Sequence, residues 1–203
     1  MILPKLFKSE NYELLREIVK ENAFSNLISY TDRVRSTQAM MMLNETDAEN
    51  FYIETHVHRA NPVAKGIKDG DFLLCDFLGA HTYISSSWYD HTNVSTWNYE
   101  AVQIYGKVAL MTDDELYNHL KKLTDTFESS QKCPVTVEKM GREFVEKEMK
   151  GALGIKIIPM EVSIKQKLSQ NRDDANYDLI IYNLEKSNDA MDKKIGAKMK
   201  ALR

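Results

Sequence analysis

Residues 80–108 read AHTYISSSWYDHTNVSTWNYEAVQIYGKV, and this stretch decides the predicted fold. It holds both tryptophans of the chain, Trp88 and Trp97, and each follows a run of serine or threonine. Aromatic planes beside short hydroxyl groups can hold a flat ligand that carries polar edges. We therefore interpret the stretch as strands that carry one wall of a ligand site. The alternative is that both indoles fill the core, since tryptophan is common in strands.

Strands are predicted on both sides of this stretch. Gly106 predicts a bulge or bend in the long strand that begins at Trp97. Strands with mostly short links are predicted at residues 23–31, 34–43, 51–58, 71–77, 81–85 and 97–111. An exposed turn, NETDAEN, occupies residues 44–50, and residues 153–167 return to strand. This pattern predicts a small antiparallel barrel of about six strands.

Helices are predicted around the strands. Ser9 is expected to cap a first helix that Asn22 ends. The sequence TDDE, which begins at Thr112, matches a capping box, and a further helix is predicted over residues 136–151. From Asn176 onward, apolar residues recur at helical spacing and predict two more helices.

Length and composition describe an ordinary globular chain. Its 203 residues suit one domain with an appendage, which we place at residues 1–172 and 173–203. The net charge of −3 argues against a globally basic nucleic-acid binder. The densest basic patch lies at the C-terminus: Lys193, Lys194, Lys198, Lys200 and Arg203. The sequence has no apolar run of membrane-spanning length, an N-terminus unlike a signal peptide and few cysteines, so a cytoplasmic location is expected.

Two further polar stretches suggest ligand contacts. HVHRANPVAK, residues 56–65, places Arg59 and Lys65 near a short helix predicted at Pro62. A helix N-terminus and an arginine fork both suit a phosphate. The alternative for this stretch is a solvated loop with an Asn-Pro turn. KLSQNR, residues 167–172, follows a strand and by itself would be an unremarkable exit loop.

Metal and nucleophile sites are not predicted. His56 and His58 share one strand face, but Glu54 is the only carboxylate on that face and no cysteine lies nearby. His58 is better suited to donate a hydrogen bond to a ligand. The chain has neither a G-x-S-x-G nucleophile context nor a G-x-G-x-x-G turn. The residues alone therefore identify no catalytic acid, base or nucleophile.

The motifs ANP, YIS-SWY, TWNY with a glycine downstream, GALGIKI and K-LSQNR occur in this order along the chain. As a set they resemble the PaiB-type FMN-binding negative transcriptional regulators, a family of the FMN-binding split-barrel superfamily. The resemblance covers nearly the whole chain. It implies an α+β, mainly β fold: a six-stranded antiparallel split barrel of Greek-key type, with peripheral helices and a helical C-terminus. The implied cofactor is FMN.

The resemblance also implies a homodimer with FMN at the subunit interface. By position, the phosphate end corresponds to His58, Arg59, Asn61 and Lys65. The ribityl and ring surroundings correspond to Ser85, Ser87, Trp88, Thr96, Trp97 and Asn98. The residues implied to close the site are Lys167, Gln170 and Arg172.

Two functions follow as hypotheses. The first is an FMN-binding negative transcriptional regulator or flavin-dependent sensor. Direct DNA binding is weakly supported, because the net charge of the chain is negative and the sequence has no recognisable helix-turn-helix. The alternative is an FMN-dependent oxidoreductase that acts on an unknown small molecule. A barrel that has lost its flavin is a third option. The sequence leaves open whether the protein is an enzyme.

Overall fold

The computed structural model describes residues 1–47 and 50–203. The predicted turn at residues 44–50 includes Ala48 and Glu49, which lie outside the described residues. The strands are β1 (Lys8–Ser9), β2 (Phe24–Tyr30), β3 (Val34–Glu45), β4 (Phe51–His58), β5 (Phe72–Ile84), β6 (Thr96–Leu110) and β7 (Ala152–Lys167). The α-helices are α1 (Tyr12–Glu21), α2 (Asp113–Glu128), α3 (Val137–Met140), α4 (Arg142–Met149), α5 (Asp174–Lys186) and α6 (Ala190–Leu202).

The strands form one sheet that closes on itself. Its order is β1-β7-β4-β3-β2-β5-β6, and an additional pairing joins β6 to β7. Strands β2, β3 and β4 follow one another, and β5 returns to lie beside β2, which is a Greek-key connection. The predicted fold class is confirmed: a mainly β, six-stranded antiparallel barrel with peripheral helices and a helical C-terminus.

Alternation along the strands gives each one a buried and a more exposed face. In the β2–β3 hairpin, Phe24 pairs with Met40 and Tyr30 with Val34, and Phe24, Tyr30 and Val34 are all exposed. The pairing of β2 with β5 sets Leu27 opposite Cys75, and both side chains are fully buried. Because successive side chains point to opposite faces, such positions recur at every second residue. Burial also raises the pKa of the Cys75 thiol well above its usual range.

The structure corrects the strand count in residues 23–111. The segments 71–77 and 81–85, predicted as two strands, form the single strand β5. Gly79 lies where they meet, and a Cβ atom there would come within 3.3 Å of the Glu100 carbonyl oxygen. This glycine therefore permits a close backbone approach and does not mark a break. The sixth barrel strand is β7, which lies after the helices.

Two predicted helix boundaries are also corrected. Asn11, and not Ser9, caps α1, because its side-chain oxygen accepts hydrogen bonds from the backbone N–H groups of Glu13 and Leu14. The helix predicted over residues 136–151 is broken into α3 and α4 at Gly141, whose φ of 84° lies in the left-handed region. The capping box that begins at Thr112 is confirmed.

The chain divides into two compact units. The first unit comprises Met1–Asn22, Phe77–Gln103 and Val162–Arg203, and the second comprises Ala23–Asp76 and Ile104–Glu161. In the first unit, the buried faces of α5 and α6 pack with Ala80, Ile84 and Tyr89. In the second, α2, α3 and α4 share a small apolar cluster of Leu116, Val137, Val145 and Met149. The division at residues 172 and 173 stays a prediction.

Within the part of the chain that the structure describes, no helix is both long enough and apolar enough to cross a membrane.

Candidate functional site

Trp97 is half exposed, with 53% of its surface accessible. Two other rings of the first unit lie beside it: the ring centroid of His81 is 6.3 Å away and that of Tyr83 is 6.0 Å away. The interpretation that both indoles fill the core is therefore wrong for Trp97. Trp88 is partly buried and packs against the α5–α6 cluster. Trp97 and its neighbours thus present an accessible aromatic surface.

The ammonium group of Lys167 is fixed beside Trp97. It donates a 2.8 Å hydrogen bond to the Trp97 carbonyl oxygen and another to the Thr96 hydroxyl group. Burial lowers the pKa of Lys167, and the positive charges of Lys165 and Arg172 lower it further. The sequence-predicted residues Thr96, Trp97 and Lys167 are therefore brought together.

Lys165 and Arg172 have few polar partners. Lys165 is buried; its ammonium group donates to the Ile2 carbonyl oxygen at 3.1 Å and lies 5.0 Å from the ring centroid of Tyr99. The Arg172 guanidinium lies 4.9 Å from the ring centroid of Tyr89. Its Nε atom is buried and has no hydrogen-bond partner among the described residues.

The KLSQNR segment turns through an internally bonded loop. Ser169 has a φ of 61°, the one positive φ among the described non-glycine residues, and its hydroxyl group donates a 3.0 Å hydrogen bond to the Asn98 side-chain oxygen. The Gln170 side chain accepts from the Leu168 N–H at 2.7 Å and donates to the Gln166 carbonyl oxygen at 2.6 Å. Asn98 and Gln170 therefore use their amide groups within the protein.

The serines before Trp88 also bond one another. A short 3-10 helix spans Ser86–Trp88, and the Ser85 hydroxyl group accepts from the Ser87 N–H at 3.2 Å. The two hydroxyl oxygens are 2.9 Å apart. A hydroxyl group can make three hydrogen bonds, so the half-buried Ser85 keeps capacity for one more and the exposed Ser87 for two.

The phosphate end implied by the resemblance lies in the second unit and differs from the prediction. No helix begins at Pro62; the chain makes successive turns, with the Ala64 N–H bonded to the Asn61 carbonyl oxygen and the Lys65 N–H to that of Pro62. The Asn61 side chain accepts from the Val63 N–H at 2.9 Å and stabilises this turn. The phosphate argument from a helix N-terminus therefore does not apply.

Hydrogen bonds of two kinds hold the neighbouring His58 and Arg59: one within the turn and one to the distant Gly151. The Nδ1 atom of His58 accepts from the Ala60 N–H at 3.0 Å, and the Arg59 N–H donates to the Gly151 carbonyl oxygen at 2.8 Å. The Arg59 side chain lines a cleft of about 530 Å³ together with Asp113, Asp114, Tyr117, Arg142, Glu146, Met149 and Lys150. Acidic and basic side chains both line this cleft, so its charge does not single out an anion.

A histidine pair, in which His119 is buried and His56 is half-buried, lies elsewhere in the second unit. His56 Nδ1 is 3.1 Å from His119 Nε2, and His119 Nδ1 is 3.5 Å from a Glu54 carboxylate oxygen. Burial and the neighbouring His119 lower the pKa of His56 to about 4. Burial opposes ionisation of Glu54, but the hydrogen bond and charge of His119, together with the charge of Lys122, lower the pKa of Glu54 overall.

Most of the C-terminal basic patch is neutralised by carboxylates of the first unit. Lys198 contacts Glu17 at 2.7 Å and the buried Glu100 at 2.8 Å, and Lys194 contacts Glu21 at 2.5 Å. Two further pairs join Lys200 to Glu185 and Arg203 to Asp174. The patch seen in the sequence is therefore mainly a set of ion pairs.

A family profile described as “Putative FMN-binding domain” matches residues 1–161 of the chain. The chain belongs to this FMN-binding family. A curated relative, “Protease synthase and sporulation protein PAI 2” of Bacillus subtilis (strain 168), is 35% identical over 187 residues, which are 91% of this chain and 89% of the relative. The PaiB-type resemblance is thereby confirmed, and FMN is the cofactor of the family.

Solved structures share the fold. The FAD and heme binding protein from Mycobacterium smegmatis matches with a TM-score of 0.60 and 14% identity, over 84% of this chain and 78% of that one. The flavocytochrome Anf3 from Azotobacter vinelandii matches with a TM-score of 0.50 and 17% identity, over 85% and 75% of the two chains. At these identities the likeness concerns the fold alone, and it supports the split-barrel assignment.

The residues of the first unit fit the chemistry of FMN. A flavin phosphate needs a flat surface for its ring, hydrogen-bond partners for its polar edge and cations for its phosphate. Trp97 supplies an accessible ring, Ser87 an exposed hydroxyl group with spare hydrogen-bonding capacity and Lys167 a fixed ammonium group. Bound FMN would supply the redox chemistry of its isoalloxazine ring, and the protein would bind and orient it.

Sequence reasoning missed several neighbours of this surface. His81 and Tyr83 lie two positions apart on β5, and Lys165 lies two positions before Lys167 on β7. Strand periodicity places each pair on one face, and this signal could have identified them. The contact between His56 and His119 joins residues 63 positions apart, and no local pattern predicts it.

Proposed function

We propose that this chain is an FMN-binding regulator or flavin-dependent sensor of the PaiB type. The observation that carries the proposal is the match to PAI 2 over 91% of this chain and 89% of the relative. The name of that relative refers to protease synthase and sporulation. The surface around Trp97 supports the FMN part of the proposal, because ring, hydroxyl and ammonium groups converge there.

In this proposal Trp97, Thr96 and Lys167 contact the flavin directly, with Ser85, Ser87 and Trp88 beside them. Asn98 and Gln170 act as positioning residues, because their amides already hold the turn that carries Lys167 and Arg172. The assignment of the FMN phosphate to His58, Arg59, Asn61 and Lys65 stays a prediction from the resemblance.

We also propose a cytoplasmic homodimer with FMN at the subunit interface. Exposed apolar side chains on β7, namely Ile158, Met160 and Val162, support an interface between copies. Light scattering coupled to gel filtration tests the assembly: a mass of about twice 23.4 kDa is expected. A monomer at micromolar concentration with FMN bound would contradict the shared site.

The absorption spectrum of the purified protein tests the cofactor. Protein with bound FMN is yellow, and apo-protein is expected to recover the flavin bands when FMN is added. A colourless protein that ignores added FMN would contradict the proposal.

A gel-shift assay against the protein's own promoter region, at rising salt, tests regulation through DNA. A shift that depends on flavin redox state supports a sensor, and a shift independent of it supports a plain regulator. Steady turnover of NADH or NADPH without any shift would instead support the oxidoreductase.

A further inference from the structure

Helix α2 contacts the barrel strand β4 through a buried histidine. Of the sixteen residues of α2, all of which the structure describes, two are buried: Leu116 and His119. Leu116 belongs to the apolar cluster that α2 shares with α3 and α4, whereas the His119 ring contacts Glu54 and His56 of β4. A buried imidazole is costly unless its nitrogens have polar partners. The attachment of α2 to β4 therefore depends on these two side chains.

Glu54, His119 and His56 form a histidine chain. Nδ1 of His119 lies 3.5 Å from a Glu54 carboxylate oxygen and has no other partner among the described residues. Nε2 of His119 lies 3.1 Å from Nδ1 of His56, with the two ring planes inclined at 69°. An ionised carboxylate only accepts hydrogen bonds, so Nδ1 of His119 must carry a hydrogen. The bond between the rings needs one further hydrogen, which either ring can supply.

The histidine chain can take up one extra proton but not two. When both rings are neutral, His56 donates to Nε2 of His119. One proton added at Nε2 of His119 reverses that bond, because His119 then donates to Glu54 on one side and to His56 on the other. A second proton, at Nδ1 of His56, sets two N–H donors against each other at 3.1 Å and places two positive rings side by side. The second proton therefore breaks the bond between the rings.

The surroundings of the histidine chain do not offset this second charge. Charged side chains of two elements surround its Glu54 end: Glu115 and Lys122 of α2 and Lys156 of β7. Strand β3 contributes the neutral Asn44, which accepts a hydrogen bond from Lys122. Among the described residues, the charged group that acts on His56 is His119. Burial first, and then His119, lower the pKa of His56 to about 4.

We propose that the histidine chain is a pH-sensitive switch: acid shifts α2 toward a form released from β4 while the strands stay paired. A released His56 regains its ordinary pKa of 6.5 and binds the proton that the docked form resists, so a fall in pH favours release. The helix also lines the cleft beside Arg59, through Asp113, Asp114 and Tyr117. Release of α2 therefore removes one wall of that cleft.

Hydrogen exchange read by mass spectrometry, and corrected for the intrinsic exchange rate, tests the switch in the full chain. Protection of the α2 amides should fall about a hundredfold between neutral pH and about pH 4, because the pKa of His56 is 6.5 when released and about 4 when docked. Protection of the β2 amides should change by less than about threefold. Unchanged protection of α2, or an equal loss in α2 and β2, would overturn the proposal.

Two histidine variants locate the effect. His56→Gln keeps a side chain that can bond His119 but cannot take up the proton, so protection of α2 in acid should stay within about threefold of its neutral value. His91→Gln, which changes an exposed histidine of the first unit, is the matched control and should behave like wild type. A loss of α2 protection in His56→Gln as large as that in wild type would contradict the switch.

Nitrogen-15 spectra of the imidazole rings test the histidine chain in the wild-type protein, without any substitution that could impair folding. At neutral pH a hydrogen is expected on Nδ1 of His119, since Glu54 can only accept. A single hydrogen is expected between the two rings, on either His119 Nε2 or His56 Nδ1. A spectrum in which Nδ1 of His119 carries no hydrogen would overturn the proposal.

Discussion

The Ser169 hydroxyl group donates a 3.0 Å hydrogen bond to the side-chain oxygen of Asn98, and both residues are buried. Ser169 adopts a left-handed backbone conformation, with φ at 61°. The bond ties the turn after β7 to β6, and Lys167 stands at the start of that turn. The position of the Lys167 ammonium group beside Trp97 therefore depends on a bond that the ligand need not touch.

Two replacements of Ser169 separate the contribution of this hydrogen bond to stability from the cost of the left-handed backbone conformation. Ser169→Ala loses the hydroxyl group and keeps a Cβ atom in the left-handed region, so the free energy of unfolding should fall by about 1–3 kcal/mol. Ser169→Gly loses the same bond but tolerates the conformation, and should be the more stable of the two variants. Urea denaturation measures both, with the exposed Ser86→Ala as control. Because glycine also raises the entropy of the unfolded chain, an Ala variant clearly more stable than the Gly variant would contradict strain at this position.

Gly106→Ala should destabilise the barrel. A Cβ atom there would lie 2.5 Å from Ile157 Cγ2 and 2.7 Å from the Ile158 carbonyl oxygen, so the β7 backbone would have to move. We expect a loss of about 2 kcal/mol or more in the free energy of unfolding. Gly196→Ala in α6 is the matched control, because its Cβ atom would come no closer than 3.4 Å to its nearest neighbour, Leu184 Cβ of α5. That change should be neutral or slightly stabilising, since alanine favours a helix.

Lys198→Ala should be far more harmful than Lys200→Ala. Lys198 pairs with Glu100, whose side chain is 1% exposed, so the variant leaves a buried carboxylate without its cation. Such a loss costs about 3–5 kcal/mol. Lys200 pairs with Glu185 at the surface, where a pair contributes roughly 0–1 kcal/mol. Thermal unfolding of the two variants measures the difference. Adding Glu100→Gln to Lys198→Ala should recover part of the loss, and no recovery would contradict the role of the buried charge.

Stability should fall as the solution is acidified from pH 6.5 to about pH 4. The pKa of His56 falls from its ordinary 6.5 to about 4 in the folded protein, owing to burial and to His119. Between these values the unfolded chain binds more protons than the folded one, so protonation favours unfolding. His56→Gln should flatten the stability curve in this window, whereas the exposed His58→Gln should not. His119 and Lys122 face Glu54, and the pKa of Glu54 is also lowered. Protonation of this carboxyl group should therefore cause a further loss of stability at lower pH.

The elements predicted correctly are those whose signals are local. The capping box at Thr112 places both reciprocal bonds within four residues, so the sequence alone predicts the start of α2. The predicted cap of α1, Ser9, is wrong because Ser9 and Asn11, two positions apart, are both residue types that favour the N-cap. The backbone conformation before α1 selects Asn11. The Ser9 hydroxyl group accepts a hydrogen bond from the Asn11 N–H and does not bond the N–H groups of the first helical turn.

The features that the sequence does not predict depend on contacts between residues far apart in the chain. β5 continues through Gly79 because β6 approaches closely there, and no local residue preference expresses that approach. For the site, Trp97 and Lys167 were predicted from their motifs, and the structure joins them by a direct hydrogen bond. Lys165 is not among the predicted site residues, and lysine side chains are mostly exposed in proteins. Its burial against Tyr99 becomes evident only in the folded chain.

The ion pairs of α6 bear on any contact with nucleic acid. DNA binding by free surface lysines draws its strength from the release of counterions and weakens steeply with salt. Lys194, Lys198 and Lys200 already have carboxylates as partners, so a DNA phosphate would displace an acid of the protein and release few small ions. A complex formed through this helix should therefore show a shallow dependence on salt concentration. A steep dependence would point to another surface of the protein.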